Sequence, residues 1–118
     1  KLLQLSNIIS IHLPLTNETK ELINKDTFKK MTKSPIIINT SRGSIINEYD
    51  MLEAYSKNLI AGFALDVYDQ EPVEMRFYDQ ITNEMNCILT PHIAGVTEES
   101  NFRVSKFIAE STIKFFKN

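Results

Sequence analysis

"PIIINTSRG", residues 35 to 43, is the stretch whose reading decides the fold. A proline opens three β-branched isoleucines, and the run then passes through Asn39, Thr40 and Ser41 to a lone cation, Arg42, and a glycine, Gly43. An apolar run this short, ending in turn chemistry, reads as a buried strand that stops at a polar rim. Three other runs share its character: "NIISIHL" (7 to 13), "GFALDV" (62 to 67) and "CILTPHI" (87 to 93). Their near-continuous apolarity predicts strands covered on both faces, as in a parallel sheet.

The connections fit that reading, because each can hold the dozen or so residues that a right-handed crossover requires. Between the first two runs the sequence predicts two short helices, one capped by Asn17 and one starting at Asp26 with Phe28 and Met31 three apart. Between the second and third, Asn47 with Asp50 three residues on approaches a capping box, and Met51, Leu52 and Tyr55 share a face. The stretch from Tyr68 to Asn86 has weak periodicity and reads as a loop with about one helical turn. After Gly95, Thr97 is the expected cap of a final helix. Glu98 and Glu99 stand at its start and Lys114 and Lys117 at its end, with Val104, Phe107, Ile108 and Phe115 as a buried stripe. The fold class is therefore α/β, a doubly wound parallel sheet of about four strands with crossover helices.

Composition narrows the function. A chain of 118 residues, 42% hydrophobic with a net charge of −2, is one globular domain at most, and it has no basic block for nucleic acid or an anionic membrane. No apolar stretch approaches the roughly 20 residues that span a bilayer, so a soluble, cytoplasmic chain is expected. Cys87 is the single cysteine and sits in an apolar run, the setting of an inert core thiol. Zinc-binding, P-loop and nucleophile-elbow patterns are missing, and Ser41 and Ser44 lack the context of a serine nucleophile.

Ligands of an open parallel sheet bind beyond the carboxyl ends of its strands, and here those ends carry the chemistry. Arg42 offers a planar fork that binds a carboxylate with two parallel hydrogen bonds, although a loop arginine can equally be an ordinary ion-pair partner. His92, in "TPHIAG", is either a general acid/base or a capped histidine. Glu71, in "QEP", would orient His92 and favour its charged form if the two meet; otherwise it is a solvated acid. Asp66, inside "FALDV", is costly to bury without hydrogen-bond donors. His12 is a weaker rival to His92.

"HLPLTNETKELINKDTFKKM", "IIINTSRGSIINEYDMLEAYSKNLIAGFALDVYDQEP" and "NCILTPHIAGVTEES" together resemble the NAD-binding domain of the D-isomer-specific 2-hydroxyacid dehydrogenases, the family of D-3-phosphoglycerate dehydrogenase and the glyoxylate and hydroxypyruvate reductases. The resemblance implies an Arg, Glu and His that perform the chemistry, matching Arg42, Glu71 and His92. Arg42 would hold the carboxylate of a small 2-oxo or 2-hydroxy acid and polarise its carbonyl, His92 would exchange a proton with the alkoxide oxygen, and Glu71 would keep His92 charged. It further implies cofactor contacts from Leu13, Thr40, Ser41, Arg42, Asp66, His92 and Gly95. The glutamate and "TPHIAG" look closer to the phosphoglycerate and glyoxylate/hydroxypyruvate branch than to D-lactate or formate dehydrogenases. Relatives of the family also act as NAD-sensing corepressor scaffolds with the same three residues, so a binding module and an inactive remnant stand beside the enzyme.

The likeness has a gap. With Gly43, Gly62 and Gly95 its only glycines, the chain cannot form the Gly-rich turn that holds a dinucleotide's pyrophosphate, so residues 1–118 correspond to a partial NAD-binding domain without the fingerprint half and without the substrate domain. The cofactor is expected to be NAD; what selects NAD over NADP lies in the missing half, and both stay open. On this reading the isolated chain is an inactive fragment of a dehydrogenase. Without the neighbouring strand, "NIISIHL" has an unpaired edge, which predicts a homodimer or other self-association there.

Overall fold

The computed structural model describes residues 1–72, 77, 79–82 and 84–117. In chain order come α1 (Leu2–Leu5), β1 (Ile8–Ile11), α2 (Lys25–Phe28), β2 (Ile36–Asn39), a 3-10 turn (Gly43–Ile45), α3 (Glu48–Ser56), β3 (Gly62–Leu65), β4 (Cys87–Leu89) and α4 (Glu98–Phe116). The four strands form one parallel sheet in the order β1-β2-β3-β4. Each lies inside a predicted run.

Register sets what faces inward. Ile9, Ile37, Phe63 and Cys87 align across the sheet, as do Ile11, Asn39, Leu65 and Leu89, and these two rows meet Phe28, Met31, Ile45 and Met51 in the core. The opposite face carries Ile8, Ser10, Ile36, Ile38, Ala64 and Ile88, and of these Ile8 and Ile88 are 60% and 67% exposed. Two-sided burial is therefore not what this chain achieves: α2 and α3 cover one face, and no described element seals the other.

Capping explains the helices and corrects two expectations. Asn17 starts no helix, because Thr19 Oγ1 turns back to Pro14 O at 2.7 Å and accepts from Thr16 N at 2.7 Å, and Glu21 takes a left-handed φ of 48°. Local side-chain bonds of this kind compete with helical ones. The helix expected from Asp26 starts at Lys25, since Asn24 accepts from Asp26 N and Thr27 N while Thr27 Oγ1 accepts from Asn24 N at 2.6 Å, a capping box. Asn47 caps α3 by accepting from Asp50 N at 3.0 Å, but the Asp50 carboxylate bonds to Lys25 N at 2.8 Å instead of reaching back, and so ties α3 to α2.

Thr97 caps α4 by accepting from Ser100 N. Its predicted buried stripe is not buried: Val104, Phe107, Ile108 and Phe115 are 54%, 70%, 57% and 76% exposed. The helix is amphipathic, yet no element among the described residues lies against its apolar face. Of the expected loop between Tyr68 and Asn86, residues 73–76, 78 and 83 lie outside the described residues. No helix among the described residues is long and apolar enough to cross a membrane.

Candidate active site

Parallel strands bring their carboxyl ends to one rim, and the ends of β2, β3 and β4 build the site there. Asn39 closes β2. Its Oδ1 accepts from Ser41 N at 3.1 Å and Ser41 Oγ at 3.0 Å, and its Nδ2 donates to Arg42 O at 2.9 Å. That folds residues 39–42 into a turn and brings Arg42 onto the rim, where Nη1 donates to Ser41 O at 2.6 Å. Arg42 forms no ion pair among the described residues, which leaves most of its fork free. Gly43 follows because a Cβ there would lie 1.8 Å from the carbonyl carbon of Tyr68. Only glycine allows this backbone approach.

At the end of β3, Asp66 N donates to Asn39 O, joining the two strand ends. The Asp66 side chain is 3% exposed and accepts from Thr90 Oγ1 at 2.5 Å, Ile93 N at 2.9 Å and Ala94 N at 2.9 Å. Burial pushes this carboxyl up, but those three donors, with the charge of His92, outweigh it and hold Asp66 below the usual carboxylate range. The acid thus fastens the loop that follows β4.

That loop carries His92, whose φ of 55° is left-handed, a region that histidine tolerates better than most residues. The turn aims the ring at Glu71: His92 Nδ1 lies 2.7 Å from Glu71 Oε2. Tyr68 N donates to Glu71 Oε1 at 3.1 Å, and Tyr68 Oη donates to Thr90 O at 3.0 Å, so one tyrosine braces both members of the pair. The hydrogen bond from His92, then that from Tyr68 N, hold the Glu71 carboxyl below its ordinary value. With Nδ1 turned to Glu71, Nε2 is the nitrogen left for a reacting group.

Arg42, Glu71 and His92 share one open cleft of about 250 Å³, together with Leu15, Ser44 and Tyr68. The sequence names the first three; Tyr68, Thr90 and Leu15 are added by the structure, and only the tyrosine's place two residues after Asp66 hints at them. Thr40 is exposed beside the rim and Ser41 is half-buried in the Asn39 turn. Leu13 and His12 do not enter this cleft. They line a separate apolar cavity of about 480 Å³ beside β1, where His12 Nε2 lies 2.8 Å from Ser10 Oγ. A Cβ on Gly95 would meet nothing within 4 Å, so no group among the described residues requires glycine there. Cys87 is half-buried, and burial pushes its thiol up, away from the nucleophilic form.

These residues suit one end of a dinucleotide. Asp66 uses three of about four acceptor positions, Thr40 offers an exposed hydroxyl, and Gly95 leaves open space next to the His92 loop. Nothing in the sequence supplies the Gly-rich cradle for the pyrophosphate.

Comparison with known proteins agrees with the fold. The glyoxylate reductase of Thermofilum pendens is 40% identical over 116 residues, which are 98% of this chain and 34% of that protein. The D-3-phosphoglycerate dehydrogenase of Bacillus subtilis is 39% identical over 99% of this chain and 22% of its own length. Among solved structures, D-lactate dehydrogenase from Aquifex aeolicus, complexed with NAD and lactic acid, superposes with a TM-score of 0.80 at 29% identity, over 98% of this chain and 39% of that one. The chain thus spans about a third or less of the length of these curated relatives. A family model described as "D-isomer specific 2-hydroxyacid dehydrogenase, NAD binding domain" matches residues 1–94, and the chain belongs to that family.

Proposed function

We propose that residues 1–118 form the catalytic half of the NAD-binding domain of a D-2-hydroxyacid dehydrogenase, which interconverts a small 2-oxo acid and its 2-hydroxy acid in the cytoplasm. The observation that carries the reading is the Glu71–His92 pair, 2.7 Å apart, in one cleft with Arg42, which forms no ion pair among the described residues. Arg42 binds the substrate carboxylate and, from the same fork, withdraws electron density from the neighbouring carbonyl. His92 Nε2 gives its proton to the oxygen that becomes the hydroxyl in reduction and removes it in oxidation. Glu71 fixes the ring through Nδ1 and so leaves Nε2 toward the reacting oxygen. Leu13, Thr40, Ser41, Arg42, Asp66, His92 and Gly95 are the residues that would hold the nicotinamide end of NAD or NADP. When bound, that group supplies or accepts the hydride.

On this reading the chain by itself is inactive, since cofactor binding and orientation are most of what the protein adds to hydride transfer and the pyrophosphate cradle is missing. Its open β1 edge then favours self-association. The test is a transplant: residues 1–118 replace the matching third of the Thermofilum pendens glyoxylate reductase, and NADH-dependent reduction of glyoxylate and hydroxypyruvate is followed. An active chimera that loses about a hundredfold or more in kcat/KM on Arg42→Ala or His92→Ala is expected. A folded, active chimera indifferent to both substitutions overturns the assignment.

A further inference from the structure

Two polar side chains are buried among the described residues, Asp66 and Asn39. Asn39 is 1% exposed and belongs to a row across the sheet that otherwise reads Ile11, Leu65 and Leu89. A leucine or valine would continue that row without an amide to desolvate, and burying an amide is costly unless its hydrogen bonds are made. Both polar atoms of its amide have partners, and every one of those partners leads to the site. Oδ1 takes Ser41 N and Oγ, Nδ2 gives to Arg42 O, and the backbone carbonyl accepts from Asp66 N at 3.0 Å. Ser41 O in turn receives Arg42 Nη1, and Asp66 holds the backbone on the far side of His92.

We propose that Asn39 is a positioning residue that sets the direction of the Arg42 guanidinium and ties it to the His92 loop through Asp66. The proposal rests on the dehydrogenase reading for what Arg42 binds, but not for what Asn39 does to Arg42. Geometry gives the reason. The Asn39 amide fixes the peptide planes of residues 41 and 42 from both sides, so the Ser41 carbonyl that receives Nη1 has one orientation. Asn39→Asp keeps the acceptor for Ser41 but turns the donor that faces the Arg42 carbonyl into a second acceptor. The turn is then pushed open at Arg42 while its volume is unchanged.

The experiment uses the full chain, labelled with ¹⁵N. The heteronuclear NOE of Arg42 Nε reports side-chain order, and a titration with glyoxylate, followed at the amides of residues 41–43 and 92–95, reports carboxylate binding. Asn39→Asp and Asn39→Ser are compared with wild type, with Arg103 on the exposed α4 as the reference for a free arginine. In wild type Arg42 Nε is more ordered than Arg103 Nε, and both variants lose that difference. Glyoxylate binds Asn39→Asp about tenfold more weakly than wild type at about pH 8, and the gap narrows toward pH 5 as the new carboxyl, pushed up by burial at this position, gains a proton and becomes a donor. Asn39→Ser shows no such narrowing. A merely structural role would move melting but not this pH signature. Wild-type-like Arg42 order in the variants, Arg42 as mobile as Arg103 in wild type, or loss of folding in both variants overturns the proposal. If wild type does not bind glyoxylate, as a chain without the substrate domain allows, the dehydrogenase reading is decided by the chimera and the role of Asn39 by the Arg42 order measurement alone.

Discussion

Glu71 Oε2 and His92 Nδ1 stand 2.7 Å apart although 21 positions separate them in the chain, and each is held to the contact by its own backbone: Glu71 by Tyr68 N, His92 by the left-handed turn anchored on Asp66. The carboxyl of Glu71 lies below its ordinary value chiefly because His92 hydrogen-bonds to it. Replacing His92 with alanine should therefore move the Glu71 titration upward, toward the ordinary glutamate value near 4.3, when the side-chain carboxyl is followed by ¹³C NMR. A depressed carboxyl stabilises the fold at pH values above its unfolded pKa and loses that contribution as pH falls through the lower folded value. Glu71 is 37% exposed, so solvent screens the pair and the titration is a better readout than melting. An unchanged Glu71 titration in His92→Ala would contradict the contact.

Asp66 invites a stability test instead, because its carboxylate is buried and accepts from three donors. Asp66→Ala should cost about 2–4 kcal/mol by leaving Thr90 Oγ1 and two backbone N–H groups unsatisfied. It should also speed amide exchange at Ile93 and Ala94 more than in β2. The pH dependence has the same sign as for Glu71: wild-type stability from this group is present above about pH 4 and fades in acid as pH falls through the depressed folded value. A loss below about half a kcal/mol in urea denaturation, within the range of ordinary surface substitutions, would argue against the clamp.

Much of this architecture is legible in the sequence because strand runs and strand-end charges are local signals. Arg42, Glu71 and His92 stand out as polar residues just past apolar runs, and a parallel sheet must gather such ends. What stays hidden depends on partners distant in sequence. Asn39 reads as the end of a run until its amide is seen closing the Arg42 turn, although Asn two residues before Ser is a known turn signal. Tyr68 reads as the first residue of a loop until its hydroxyl meets Thr90 O. The stripe on α4 is a true periodicity, but periodicity says which face is apolar, not whether this chain supplies the surface to cover it.

Glycines near the site divide by what surrounds them. At Gly43 an added Cβ would sit 2.0 Å from Tyr68 O and 2.4 Å from Asp69 N, both backbone atoms that cannot swing aside. Gly43→Ala should destabilise by about 3 kcal/mol or more, as overpacking against backbone does, and should disturb the Arg42 turn. Gly95→Ala meets nothing within 4 Å and should change stability by less than about half a kcal/mol. Paired thermal melts of the two variants check this; comparable losses at both positions would mean that the approach of Gly43 to Tyr68 is not as close as the structure has it.

Edge geometry makes the last expectation specific. Ile36 N donates to Asn7 O, and in a parallel ladder that phase turns Ile9 and Ile11 toward β2 and leaves the N–H and C=O of Ile8 and Ser10 pointing away from the sheet. Ile8 adds an apolar side chain, 60% exposed, to this free edge. Such an edge pairs with a second strand unless a charge or a proline blunts it. Light scattering over a range of concentrations should show the chain associating, with Ile8→Lys shifted strongly toward monomer. Ser10→Pro removes an outward N–H without touching the bonds to β2, so it should have the same effect while the β1–β2 pairing survives in amide exchange. If wild type stays monomeric at high concentration, or if Ser10→Pro associates as wild type does, the β1 edge is not where copies of this chain meet.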